Sequence, residues 1–457
     1  MSLEDTIAAI ATPLQPSGLG VIRVSGKQAV SMVGYLFKGN TEKLEKTESH
    51  KLVHGWIHDN EKLIDRVLVI IMRSPRSYTT EDVVEIQCHG SPFIMRRILD
   101  LLLDQGARLA ESGEFTQRAF LHGRIDLTQA EAVLDLVHAN SELGSALAVQ
   151  QLKGKLYNEI EKVKKQVLAT ASLVEASIEF PEEDVEFVKH DECLRKIRQS
   201  CADLEKMLVN ANQGVRVREG FSVALVGRPN VGKSSLFNRL LNDQRAIVTT
   251  VPGTTRDYIE ESKQIKGITF RLTDTAGIRN TKDLIESEGI RQTQNVLSKS
   301  DLVLLILDGG EKLNDEDLEL IRDIEKNKTI IIINKIDLLT ESGPVWTKEI
   351  SGVESVLVSA KTGEGCDELE SSLYDKATLD GIPHKDEIWI TNRRQKQAAE
   401  RALASLLHAG QGLEQSKGEE FVAVDLRSCL NALGDVVGQT TPDDLLGHIF
   451  SEFCIGK

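Results

Sequence analysis

An apolar run at 222–226 stops at Gly227-Arg228-Pro229-Asn230-Val231-Gly232-Lys233-Ser234 and gives way to a helical pattern. A strand, a loop of spacing GxxxxGK[ST] and a helix in that order aim backbone N–H groups and a helix N-terminus at one point. That point favours a phosphate. Asn230, Val231, Gly232, Lys233, Ser234 and Ser235 are the expected nucleotide loop, with Lys233 reaching the terminal phosphates and Ser234 ligating Mg2+. Downstream, a strand at 268–272 leads into Asp274-Thr275-Ala276-Gly277, where Asp274 can hold the Mg2+ shell and Gly277 can sense the γ-phosphate. A strand at 330–333 leads into Asn334-Lys335-Ile336-Asp337. A carboxylate at Asp337 can accept from the two adjacent guanine N–H groups, a pair that adenine lacks. Ser359-Ala360-Lys361, after a strand at 355–358, completes the base pocket. Four elements in this order predict an α/β P-loop domain for a guanine nucleotide, GTP or GDP, over 216–376.

The flanks have other textures, and 457 residues exceed one core. Residues 1–120 carry strand-like stretches such as 20–24 and 66–72, broken by Gly and Pro. Residues 125–212 hold almost no Gly or Pro and space Ala130, Val133, Leu134 and Val137 as a helix does; helical texture returns from about 392. The expected architecture is multidomain: an α+β domain at 1–120, a discontinuous α-helical domain at 121–215 and 377–457, and the α/β domain inserted between, with connections at 213–220 and 376–388. The acidic start lacks a secretory pattern, the apolar runs are too short to span a bilayer, and six scattered cysteines without a CxxC pair fit reduced thiols. A cytoplasmic protein without a membrane partner is expected. Its net charge of −15 argues against an unaided grip on nucleic acid, so an RNA substrate calls for a local patch or a second protein.

Some pieces are missing or ambiguous. After Gly277 stands Ile278, which can neither donate to nor accept from water, so hydrolysis needs another group. Glu286 is the best carboxylate candidate, although on residues alone a solvated charge in a loop is the favoured reading. His50, His54 and His58 recur every four residues but look strand-borne, without an acidic or Cys ligand to close a shell. The cluster Glu179-Phe180-Pro181-Glu182-Glu183-Asp184 reads as a solvated turn.

GRPNVGKSS, Val248-Thr249-Thr250-Val251-Pro252-Gly253-Thr254-Thr255-Arg256-Asp257, DTAGIR and NKID together resemble the TrmE-type (MnmE) GTPase family. These motifs alone also fit a ribosome- or RNA-assembly GTPase switch without small-molecule chemistry. The flanks favour the TrmE type: Asp5 to Pro13, Gly20 to Gly26, Tyr78 to Glu85, Gly113 to Phe120, and the final Phe453-Cys454-Ile455-Gly456-Lys457.

The resemblance implies an N-terminal domain that binds a tetrahydrofolate derivative (5,10-methylene or 5-formyl) and forms a homodimer, a helical domain, and an inserted Ras-like G domain. It implies that such proteins, with the FAD-dependent partner MnmG, add an aminomethyl-type group to carbon 5 of the tRNA wobble uridine. Motif matching carries the folate contacts onto Arg23, Glu85 and Arg124, the last commonly Lys in the family. K+ would sit on Asn230 with oxygens of Thr249, Val251 and Thr254, and Thr255 would complete the Mg2+ shell. Glu286 matches the water-orienting glutamate. Cys454 is either a nucleophile or general base for the modification chemistry, or a small packing residue.

Overall fold

The structure is a computed structural model of the chain and describes residues 4–39, 44–179, 190–242, 260–274, 300–339, 350, 352–379, 389–415 and 418–457. The chain divides into two compact units: Met1–Val137 with Ala148–Glu205 and Gln397–Lys457, and His138–Leu147 with Lys206–Lys396.

In the first unit, β1 (Ile7–Ile10), β2 (Ser17–Ser25), β3 (Phe37–Gly39), β4 (Lys51–Asp59), β5 (Lys62–Met72), β6 (Val83–Gly90) and β7 (Arg108–Leu109) form one sheet in the order β3-β4-β5-β6-β2-β1-β7. All neighbours are antiparallel except β1 and β7. The two-residue period of a strand sorts the side chains. Ile22, Val24, Val67, Val69, Ile71, Val84 and Ile86 point to one face, where they pack with Val30, Val33, Met95, Ile98 and Leu102 of the helices Ala29–Leu36 and Pro92–Asp104. Arg23, Glu85, Leu52 and Trp56 alternate out of phase with that core and lie on the opposite face.

Helices complete this unit. Lys155–Glu179 buries Leu156, Ile160, Val163, Val167, Ala171 and Val174 at spacings of three and four, the stripe that a buried helix face requires. It packs against Glu419–Val437, antiparallel, since Ser177 meets Glu419 while Lys164 meets Gln439. Leu127–His138 and Asp443–Ser451 share a core of Leu127, Ala130, Leu134, Leu446, Phe450 and Phe453.

In the second unit, β8 (Phe221–Val226), β9 (Glu260–Ile265), β10 (Ile268–Asp274), β11 (Leu302–Asp308), β12 (Thr329–Asn334) and β13 (Glu354–Leu357) form a sheet in the order β13-β12-β11-β8-β10-β9, parallel except for the β9–β10 hairpin. Helices Lys233–Asn242 and Cys366–Ala377 cover one face through Leu236, Phe237, Leu240, Leu369 and Leu373; Asp315–Asp323 covers the other. Chain order reverses on either side of β8, and a doubly wound sheet opens its crevice at such a point.

The expected connection at 213–220 is instead a helix, Ala211–Glu219, ending on Gly220. Gly214 within it and Gly220 at its end mask the helix in sequence. Tertiary contacts hold it: Arg216 Nε lies 2.9 Å from Asp301 Oδ1, and its guanidinium 5.9 Å from the Phe221 ring centroid. At the far connection, the helix Cys366–Ala377 runs one residue past 376, and 380–388 lie outside the described residues. Among the described residues no helix is long and apolar enough to cross a membrane.

Candidate functional site

The parallel register of β11 and β12 brings Asp308 and Asn334 side by side at the strand ends, next to the loop leaving β8. Asn334 joins the pieces. Its Nδ2 donates to the Val231 carbonyl at 2.8 Å, and its Oδ1 accepts the Ala360 N–H at 3.0 Å. The phosphate loop and the 359–361 segment are thus held by one buried amide. Gly232 makes this possible: its φ is +98°, and a Cβ there would lie 2.2 Å from Asn334 Nδ2.

Asp337 Oδ1 accepts from Ser359 Oγ at 2.7 Å, and Ser359 Oγ accepts the Thr362 N–H at 3.2 Å. Arg239, on the helix after the phosphate loop, donates to the carbonyls of Ala360 and Lys361 at 3.2 and 2.5 Å. Guanine-type and phosphate-type motifs, separated by about a hundred residues of sequence, are therefore braced against each other.

Lys233 is held to the loop that it closes. Its Nζ donates to the carbonyls of Gly227 and Arg228 at 2.8 and 2.7 Å, tucked beneath the loop. Ser234 Oγ donates to Asp274 Oδ2 at 2.9 Å, so two hard oxygen donors meet as Mg2+ coordination needs. Asn230 is exposed at φ +67°, offering an amide oxygen at the bend of the loop, while Val231 anchors the loop in the core and Ser235 is exposed. Thr249, Thr250, Val251, Pro252, Gly253, Thr254, Thr255, Thr275, Ala276, Gly277 and Glu286 lie outside the described residues.

A second cluster lies on the sheet of the first unit. Arg23 on β2 and Glu85 on β6 are register partners, and Arg23 Nε lies 2.9 Å from Glu85 Oε1. The same guanidinium is 5.9 Å from the Tyr78 ring centroid and 5.6 Å from that of Phe115. Burial pushes the Tyr78 phenol up, against the opposing pull of its Thr116 hydrogen bond and the charges of Arg23 and Arg124. Arg124 is exposed, in the turn between the helices Glu114–Leu121 and Leu127–His138.

The chain's last described residues complete it. Arg23 Nη1 donates to the Gly456 carbonyl at 2.9 Å, Ser112 and Ile455 form an antiparallel bridge, and the Phe115 N–H donates to the Lys457 carbonyl at 3.2 Å. Gly456 has φ +93°, and a Cβ there would stand 2.7 Å from the Ile10 carbonyl. Phe453 is buried and Cys454 exposed, so the thiol of this docked tail faces outward.

Of the three histidines, His54 and His58 are on β4; His54 Nε2 accepts from Arg66 Nε at 2.7 Å and His58 bonds the Asn60 carbonyl. The acidic cluster after Glu179 lies outside the described residues.

Comparison with known proteins bears on both clusters. A family model described as the GTP-binding protein TrmE N-terminus matches residues 6–124, and one described as the MnmE helical domain matches residues 127–454. This chain belongs to the MnmE (TrmE) family. A relative from Alkaliphilus oremlandii named tRNA modification GTPase MnmE is 44% identical over 461 residues, covering 100% of both chains. One of the same name from Clostridioides difficile is 41% identical over 459 residues with the same coverage, and one from Enterococcus faecalis 41% over 457 residues, covering 99% of this chain and 98% of that one.

Sequence reasoning missed three members of these sites in this MnmE-family chain. Tyr78 and Phe115 stand in stretches that motif comparison singles out, yet nothing local marks them as neighbours of Arg23. Asp308 closes an ordinary buried strand, and only the β11–β12 register shows what it faces.

Proposed function

We infer that this chain is a GTPase that acts in tRNA modification. The observation that carries the nucleotide half is the Asn334 amide, which ties the phosphate loop to a base pocket closed by Asp337 and Ser359. The relatives' shared name supports the tRNA half.

In the reaction, Asp337 and Asn334 hold guanine, and the loop N–H groups hold the phosphates. Lys233, anchored by the Gly227 and Arg228 carbonyls, donates to the terminal phosphate oxygens, and Glu286 orients the attacking water. When bound, Mg2+ on Ser234 and Thr255, near Asp274, and K+ on Asn230, Thr249, Val251 and Thr254 would supply the positive charge that stabilises phosphoryl transfer.

Beyond this, the 1–120 region, together with Arg124 just after it, binds a reduced folate through Arg23, Glu85 and Arg124. Two cations, a carboxylate and the half-buried ring of Tyr78 suit an anionic, planar ligand, with the buried Phe115 ring backing Arg23 from within. Cys454, exposed and two residues before the Gly456 carbonyl that Arg23 bonds, is the candidate thiol for this chemistry. The folate supplies a one-carbon unit, and with an FAD-bearing MnmG partner an aminomethyl-type group is installed at carbon 5 of the wobble uridine. The G domain at 216–376 is read as an insertion in the helical domain at 121–215 and 377–457. A homodimer through the N-terminal region accounts for the outward Leu52 and Trp56 of β4, 55% and 40% exposed on the sheet face opposite the helices. The setting is the cytoplasm.

The purified chain is expected to hydrolyse GTP and spare ATP, and to bind a reduced folate. GTP turnover without any folate binding would support the assembly-switch reading instead.

A further inference from the structure

The turn after β11 reaches into the guanine pocket without belonging to any nucleotide motif. Asp308 is buried, and both of its carboxylate oxygens are engaged: Oδ1 accepts the Gly310 N–H at 2.9 Å, and Oδ2 lies 2.7 Å from Lys335 Nζ. The next residue adds a second tie, since the Gly309 N–H donates to the Asn334 carbonyl at 2.8 Å. Lys335 has a left-handed backbone, φ +66°, between Asn334, which braces the phosphate loop, and Asp337, which braces Ser359. The nearby cation Arg228 lies 2.5 Å from Glu311 and 3.2 Å from Asp317, so it has its own acids and does not displace Lys335.

A lysine stem is flexible and carries about 2 kcal/mol of rotamer entropy. Here it is fixed at both ends, by the backbone and by the carboxylate. We propose that Asp308 is a positioning residue of the nucleotide site, holding the Lys335 ammonium so that the methylene stem forms a standing apolar wall for the planar base. The wall does not read the base edge. Asp308 therefore sets affinity for purine nucleotides, while Asp337 sets the choice of guanine. This rests on the guanine-nucleotide reading above.

The test uses the full-length chain and fluorescent GDP, GTP and inosine diphosphate, with Asp308→Asn, Lys335→Met and the double variant. Asparagine still accepts the Gly310 N–H, and methionine keeps an unbranched stem while removing the ammonium. Each single variant should weaken GDP and GTP binding about 10- to 100-fold, the range for losing a hydrogen bond to a charged group. Turnover at saturating GTP should stay within about twofold, so the effect falls on KM and not on kcat. The GDP-to-inosine-diphosphate preference should be unchanged, a result that general loosening of the pocket would not give. The double variant should be no weaker than the weaker single one, because the two side chains act as a unit. Wild-type affinity in Asp308→Asn, or losses that multiply in the double variant, would overturn the proposal. Lys335→Met probes the same contact from a partly exposed side chain, so poor folding of the Asp308 variant does not protect the idea. A wild-type chain that binds no guanine nucleotide would instead refute the function on which it rests.

Discussion

Gly232 shows how much one residue can decide. A methyl group there would need the space of the Asn334 amide while the backbone holds φ +98°. Gly232→Ala is therefore expected to separate the phosphate loop from the base pocket and to weaken GDP and GTP binding at least about 100-fold, since both a close approach and a left-handed backbone are lost. Equilibrium binding checks this. The cysteines offer a second residue-scale prediction. Burial pushes the Cys88 and Cys429 thiols up to about 12 and Cys201 up to about 11, whereas Cys454 is exposed. Alkylation of the native protein at neutral pH should label Cys454 about 100-fold faster than any other cysteine, followed by peptide mass spectrometry. Equal labelling of Cys429 would contradict the packing described here.

At the scale of elements, the helix Glu114–Leu121 is fastened by charge. Arg118, 1% exposed, lies between Glu114 at 2.9 Å and Glu81 at 3.1 Å, and donates to the Asp5 carbonyl at 2.8 Å. Arg118→Met removes one of the two guanidinium partners of Glu114, Arg108 remaining, and should destabilise the first unit by about 1.5–3 kcal/mol, measured by urea unfolding. Burial pushes the Glu114 carboxyl up, but hydrogen bonds from Arg108, the Glu111 N–H and Arg118 outweigh it and hold the group below its ordinary value. A depressed folded value means its contribution is full above about pH 4.3, the unfolded value, and is lost as pH falls through the folded one. The urea midpoint should drop below about pH 4, and less steeply in Glu114→Gln. The phosphate loop, the NKID and SAK segments and the strands carrying them were legible because each is a local pattern with its own backbone geometry. The docked tail was not: the Ser112–Ile455 bridge joins residues far apart in sequence, and nothing near Cys454 announces it. The helix Ala211–Glu219 was hidden for a related reason, since a distant partner, Asp301, holds it.

For the whole molecule, nucleotide turnover, folate chemistry and tRNA are read as one machine. If K+ at Asn230 and the 249–254 segment replaces an arginine finger, hydrolysis should fall steeply when Na+ replaces K+; such a finger is worth roughly 10³–10⁵ in rate. Single-turnover assays in the two salts check this, and equal rates would remove the cation from the account. Glu286→Ala should bind GTP normally yet hydrolyse it slowly. The most direct test of the central claim is mass spectrometry of wobble nucleosides from cells whose only copy of the gene carries Asp337→Asn. That change inverts a hydrogen-bonding group built to accept from guanine and should lower GTP affinity by about 10⁴-fold or more. The account predicts that wobble uridines in these cells lack the modification while the protein accumulates normally. Wild-type levels of modified uridine, alongside a purified variant that no longer binds GTP, would show that guanine nucleotide turnover by this chain does not drive the chemistry.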